Sequence, residues 1–294
     1  YVSVYQYNGE DWIQLGSDLP GRAPSDQFGH SVSISSDGNI IAIGAPNDGS
    51  VIDDDYSYVS IYEYNGDNWL QKGSDIISGV SDDLAGYSVS LSSDGTIVAI
   101  GAPNHYSVQN SGHVSIYQYS GTNWLQLGGD IEGEHEYERS GTSVSLSSDG
   151  TVVAIGARNN HDIGENAGQV RVYEYNIGVW TKIGNDIDAE SDFDFFGTSV
   201  SLSSDGTVVA IGAPQYNPPD QPGYVGLFKY SGANWIQLGS NIYGEIGGDN
   251  SGTSVSLSSD GSVVAIGAPL NNGNGETAGH VRVFENIVEF IEGN

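Results

Sequence analysis

The chain has 294 residues and sets 38 acids against 8 bases, a formal charge of −30, which repels phosphate backbones and anionic lipid heads, so no nucleic-acid partner is expected. Cysteine and methionine are both absent, which removes disulfides, thiolate metal sites and sulfur nucleophiles. No apolar run of about 18 residues offers a spanning helix, and no membrane insertion is expected.

From the N-terminus, residues 1–7 (YVSVYQY) alternate apolar with polar or aromatic residues, the period-2 pattern of a strand. Asn8-Gly9 then turns the chain into the stretch Trp12 to Leu19, making a hairpin. A second kind of hairpin starts at Ser31 (SVSISSDGNIIAIGAP). Val32 and Ile34 alternate with serines, and Ile40 to Ala45 is an unbroken apolar run of the kind found in a buried strand. Asp37-Gly38 between them suits a two-residue loop with positive φ at both central positions.

Both hairpins recur. The serine-rich one returns at Ser88, Ser143, Ser199 and Ser254, at spacings of 57, 55, 56 and 55 residues. The aromatic one returns at Tyr58 to Ile76, His113 to Ile131, Gln169 to Ile187 and Tyr224 to Ile242. A fixed period carrying several strands points to one propeller or array rather than to separate domains. Residues 1–294 are therefore read as a single domain, with units starting near 30, 87, 142, 198 and 253.

Side-chain size orders the strands within a unit. Small Ser, Val, Ala and Gly fill the first two strands, whereas Tyr62, Tyr64, Trp69 and their equivalents fill the outer two, so the chain runs from a crowded axis to a wide rim. One Trp per unit suits a plug between outer strands. The expected fold is all-β: a five-bladed β-propeller of four-stranded antiparallel blades, its ring closed by N-terminal strands.

After the fifth serine hairpin, His280 to Glu285 (HVRVFE) repeats the third strand, and 286–294 (NIVEFIEGN) reads as a tail or linker. Trp12 to Leu19 is expected to supply the outermost strand of the blade begun at Ser254, so that 1–19 completes the last blade. Either Tyr1 to Tyr7 or His280 to Glu285 is then surplus, and a surplus strand gives a route to self-association by edge pairing. Beginning at Tyr1 without a basic-plus-apolar leader suits a mature or excised product.

These motifs carry a resemblance. FG stands at Phe28-Gly29 and Phe196-Gly197. GAP stands at Gly44-Ala45-Pro46, Gly101-Ala102-Pro103, Gly212-Ala213-Pro214 and Gly267-Ala268-Pro269, with Gly156-Ala157-Arg158 in the third unit. The chain resembles FG-GAP repeats, the blades of integrin-α-type propellers, and especially those of repeat-rich surface proteins of marine bacteria and algae. Two departures stand out. That family normally has seven blades, and its calcium loop, patterned DxDxDG, is here shrunk to SSDG. A single carboxylate cannot meet the six to eight oxygens that Ca²⁺ takes, so Asp37, Asp94, Asp149, Asp205 and Asp260 are read as turn formers.

Loops after the second and fourth strands share one face, vary in length and are rich in acids, which selects cations or cationic partners. The candidate binding residues there are Asp53, Asp54, Asp55, Glu134, Glu136, Asp192, Asp194 and Phe195. A weak Ca²⁺ site at Asp53, Asp55, Asp192 and Asp194 is the one cofactor weighed, against the plainer reading of a solvated charge run. His30, His113 and His280 fall at repeat positions, and His105, His135 and His161 fall in separate loops with no zinc spacing. No serine stands in a nucleophile elbow, and no catalytic residue is assigned. The expectation is a non-enzymatic extracellular or cell-surface structural or adhesive module that contacts protein or glycan ligands, as one unit of a larger array or filament. The alternative is a lectin-like binder stacking sugars on Trp or Tyr, against which tryptophans buried in packing would count.

Overall fold

The structure is a computed structural model that describes every residue except 47–56, 81, 105–109, 216–220 and 286–294. Strands account for the regular structure, as the period-2 alternation and short apolar runs dictate. An N-terminal hairpin pairs β1 (Tyr5–Tyr7) with β2 (Trp12–Gln14). The first blade comprises β3 (Ser31–Ile34), β4 (Ile40–Ala45), β5 (Tyr58–Tyr64), β6 (Trp69–Gln71) and the short β7 (Ile76–Ile77). The second comprises β8 (Ser88–Leu91), β9 (Ile97–Ala102), β10 (His113–Tyr119), β11 (Trp124–Gln126) and β12 (Ile131–Glu132).

The third blade comprises β13 (Ser140–Leu146), β14 (Val152–Ala157), β15 (Gln169–Asn176), β16 (Val179–Lys182) and β17 (Ile187–Asp188). The fourth comprises β18 (Ser199–Leu202), β19 (Val208–Ala213), β20 (Tyr224–Tyr230), β21 (Trp235–Gln237) and β22 (Ile242–Tyr243). The fifth has β23 (Ser254–Leu257), β24 (Val264–Ala268) and β25 (His280–Phe284). All five sheets are antiparallel and run in chain order from inner to outer strand. The molecule is the expected all-β, five-bladed β-propeller. In each of the first four blades the outermost strand is broken in two; in the first, β6 and β7 both pair with β5.

Serine, the small residue of the inner strands, stitches neighbouring blades. Ser33 Oγ accepts the Leu91 amide of the next blade at 2.9 Å, and Ser31 Oγ donates to the Gly86 carbonyl at 2.7 Å; both contacts recur at each of the four joints between consecutive blades. A methyl group on Gly44 would stand 2.1 Å from the Gly86 carbonyl oxygen, so the blades approach too closely there for any side chain. Apolar faces fill the rest of each joint: Ile40, Ala42, Val59 and Ile61 of the first blade meet Val89, Leu91, Val98 and Ile100 of the second.

The SDG loops differ from the two-residue turn expected. Gly38 alone takes positive φ, at 75°, while Asp37 does not. The Gly38 amide donates to the Ser35 carbonyl at 2.9 Å, as in a type I turn followed by a left-handed glycine. The Asp37 carboxylate accepts the Ser35 hydroxyl at 2.7 Å and the Asn39 amide at 3.0 Å.

The detail of closure also differs. β1 and β2 pair with each other alone, and β25 has no fourth strand beside it among the described residues. Trp12 to Leu19 therefore does not hydrogen-bond to the blade begun at Ser254. The hairpin instead contributes Val4 and Leu19 to a core with Ile41, Ile43 and Trp69 of the first blade, and Leu15 accepts the Trp69 indole at 2.9 Å. The physical reason is local: β2 already has β1 as partner, and the first blade offers an apolar face directly after it in sequence.

Candidate active site

Alternate residues of the second blade's third strand line a cavity beside the loop that enters that blade. Around the equivalent strand positions of the other four blades stands a large group. In the first, Arg22 from the entering loop forms an ion pair with Asp75 and lies 4.2 Å from the centre of the Tyr58 ring. In the third, the buried Arg171 guanidinium forms a bidentate pair with Glu138, at 2.8 and 3.0 Å. In the fourth, Phe228 meets Phe196 edge to face. In the fifth, the corresponding residue is Arg282, which donates to the Tyr243 carbonyl.

The second blade has His113, Ser115 and Tyr117 at these positions. With no long side chain reaching in, a cavity of about 220 Å³ remains, walled by Val80 and Ala85 from the entering loop, by Gln126 of β11 and by Asp130 from the break before β12. His113 and Ser115 are buried on its floor, whereas Gln126 and Asp130 are exposed at its mouth. The Asp130 carboxylate accepts the Ser115 hydroxyl at 2.5 Å and the Gln126 amide at 2.6 Å. Burial, and after it the Asp130 charge, raises the Tyr117 phenol above its ordinary pKa, so it stays a neutral wall. One carboxylate, one imidazole and one hydroxyl thus converge on a solvent-reachable cavity, the set that general acid–base chemistry needs.

None of the residues proposed from sequence lies in this cavity. Asp53, Asp54 and Asp55 fall outside the described residues. Glu134 and Glu136 are exposed beside the third blade, where Glu134 stands 3.6 Å from Lys182. Asp192 is exposed, but Asp194 is buried. Its carboxylate accepts the Tyr224 hydroxyl at 2.8 Å, the Gln215 amide at 2.6 Å and the Glu190 and Ser191 backbone amides. Those two acids therefore do not face one ion. Phe195 is half-buried, with the Arg158 guanidinium 5.2 Å from its ring centre. Among the described residues, no group of three or more His, Cys, Asp or Glu is placed to hold a metal.

Asp194 belongs to a set that sequence reading missed. Asp26, Asp83, Glu138, Asp194 and Asp249 occupy one repeat position, keep the spacing of the hairpins and are all buried. In four of them the carboxylate accepts amides three or four residues earlier, fixing the loop that enters the blade. Their periodicity was the available signal, masked by the many exposed acids nearby. His135 and His161, expected in separate loops, stand with ring centres 5.9 Å apart, and His135 is 3.0 Å from Asp162.

The lectin-like alternative fails on the tryptophans. Trp69, Trp124, Trp180 and Trp235 are 5–9% exposed, and each indole N–H is spent on a backbone carbonyl of the preceding unit. No stacking face is left at those four positions.

No protein-family model matches the sequence, and comparison with curated proteins finds no relative. Solved structures do share the fold. The periplasmic gluconolactonase of Pseudomonas aeruginosa superposes with a TM-score of 0.61 at 16% identity, over 96% of this chain and 74% of that one. A putative 6-phosphogluconolactonase from Bacteroides uniformis gives 0.61 at 14% identity, over 95% of this chain and 78% of that one. Hydrazine synthase of Kuenenia stuttgartiensis gives 0.54 at 13% identity, over 92% of this chain but only 65% of that one. At such identities the likeness establishes fold alone. The expectation of a non-enzymatic structural or adhesive module is corrected to this extent: these three solved structures are enzymes by name, so the fold gives that expectation no support.

Proposed function

We propose that the chain is a small-molecule hydrolase of the propeller fold, which opens an uncharged, hydroxyl-rich lactone in the cavity of the second blade. The observation that carries this reading is the cavity itself. The Ser115, Gln126 and Asp130 set repeats Ser60, Gln71 and Asp75 of the first blade, but here no arginine reaches in as Arg22 does there, so His113, Ser115 and Asp130 border an open space of about 220 Å³. The lactonase names among the structural neighbours favour the reaction class.

In this reading the Asp130 carboxylate at the mouth takes a proton from water as the water oxygen attacks the lactone carbonyl carbon. The ring C–O bond then breaks as a protonated His113 gives its proton to the departing ring oxygen, giving the hydroxy acid, and the proton held by Asp130 passes to His113 to reset the pair. Gln126 and Ser115 hold the carboxylate in place. The charge of −30 disfavours an anionic substrate, so an unphosphorylated lactone is preferred to a phosphorylated one.

Lactone opening releases acid, so a pH-stat measures it directly. The expected result is turnover of an aldonolactone above the buffer rate, reduced by about 10²- to 10⁴-fold in Asp130→Asn, the range for loss of a general base, with an unchanged melting temperature. Absence of turnover, or full activity in Asp130→Asn, rules the reading out.

The repeats are read as FG-GAP type on the motifs already quoted, and the close approach at Gly44 gives their GAP glycine a physical role. An extracellular location goes with this assignment and with the acidic, sulfur-free composition.

A further inference from the structure

The outer strands meet through one contact that repeats from blade to blade. Trp69, Trp124, Trp180 and Trp235 donate their indole N–H to the carbonyls of Leu15, Lys72, Leu127 and Ile183, at 2.9, 2.7, 2.8 and 3.0 Å. Beside each acceptor a glycine makes room for the ring: a methyl group on Gly16, Gly73, Gly128 or Gly184 would stand 2.8–3.1 Å from the indole Cδ1. The next acceptor in the series is Leu238, followed by Gly239. A methyl group on Gly239 would have nothing within 4 Å, and a mostly apolar cavity of about 410 Å³ opens between Leu227, Leu238, Gly239, Ile242 and Phe284.

One tryptophan has no such socket. Trp12 is 69% exposed, against 5–9% for the other four. The two ends of the array are also bare where the inner joints are closed. Val32 and Ile34 of the first blade are 53% and 50% exposed, and Val281 and Val283 of the fifth are 68% and 60%. Their repeat equivalents Val89 and Leu91, and Val114 and Ile116, are buried between blades.

We propose that the socket at Leu238–Gly239 receives Trp12 of a second copy of this chain, so that copies associate head to tail through the same joint that links the blades. The second copy is favoured over the chain's own hairpin by the structure of both ends. The hairpin is anchored on the first blade through Leu15, Val4 and Leu19, and the faces that intramolecular closure would bury are exposed at both ends. The third-strand position of the fifth blade is meanwhile filled by β25, with five residue pairs to β24. Contact between unlike surfaces of this kind is heterologous, and it closes only if two or more copies fill each other's sockets.

The test is sedimentation of the whole chain across a range of concentrations, with tryptophan emission recorded in parallel. The expected result is a mass rising above the 31.0 kDa of one chain, with a blue shift as Trp12 leaves water. Trp12→Ala, which removes an exposed ring, should stay monomeric. Ile242→Trp, which fills the socket with a side chain of its own, should also stay monomeric. Mixing the two should restore one complex of two chains, because the first variant retains a socket and the second a Trp12. Association that survives Trp12→Ala overturns the proposal, as does a wild-type monomer at all concentrations. In that monomer, blue emission lost in Trp12→Ala assigns the socket to the chain's own hairpin, and red emission leaves Trp12 in water. Failure of the mixture to associate while Trp12→Ala and Ile242→Trp both melt like the wild type also overturns it.

Discussion

A single carboxylate in each SDG loop shows how a side chain can be spent on folding rather than on ligand. The Ser35 hydroxyl and the Asn39 amide hold the Asp37 carboxyl below its ordinary pKa. At Asp94, Asp149 and Asp205 burial opposes the shift, but hydrogen bonds from the flanking Ser and Thr outweigh it. Asp260 is lowered to about 2, by Ser258 first. A carboxyl with a depressed folded-state pKa stabilises the fold above its unfolded value and loses that contribution as the pH falls through the folded one. Thermal stability should therefore be flat above about pH 5 and fall between roughly pH 4 and 2. Replacing the five aspartates by asparagine should flatten that limb, and an unchanged acid limb would show that the unfolding protons bind elsewhere. A second prediction concerns Glu138, which is buried against the Arg171 guanidinium. Glu138→Gln leaves that guanidinium without its ionic partner and should cost about 3 kcal/mol in denaturant unfolding, near the low end for a broken buried pair.

At the scale of the hairpin, period and side-chain size were enough to order the strands, because the physical demands on inner and outer positions differ so sharply. Serine near the axis and Trp at the rim were legible for this reason, and Gly44 explains itself once the neighbouring blade stands beside it. The break in each outer strand was not legible, since it depends on a glycine such as Gly73 making room for the indole of the next blade. The second-blade cavity was hidden for a similar cause. His113 reads as one more repeat position until the residues absent around it are known from the other four blades. The tryptophans separate these contributions. Trp124→Ala empties a buried site and should lower stability by about 3–5 kcal/mol. Trp12→Ala in dilute, unassociated protein should change it by less than about 0.5 kcal/mol, as for a surface position. Equal losses in the two variants would mean that Trp12 is packed in solution as the inner tryptophans are.

The whole molecule carries 38 acids on a scaffold whose joints are made of serine hydroxyls, backbone amides and aliphatic faces, so its net charge works against compactness while the joints do not depend on it. Salt should consequently stabilise it. Raising the ionic strength from about 0.01 to 0.5 M shortens the Debye length from about 30 Å to under 8 Å and should raise the melting temperature by several degrees, since about 1 kcal/mol moves a chain of this size by roughly 2–4 °C. Calcium tests the same field more sharply. Asp192 faces solvent and Asp194 faces the core, and the turn aspartates are occupied by the serine, threonine or asparagine on either side of them. CaCl₂ should then stabilise no more than NaCl at matched ionic strength, and EDTA should leave the melt where it was. An extra rise with calcium that saturates at low concentration would place a true ion site on the acidic loop face. Loss of that rise in a variant with Asp53, Asp54 and Asp55 all changed to asparagine would assign it to that loop.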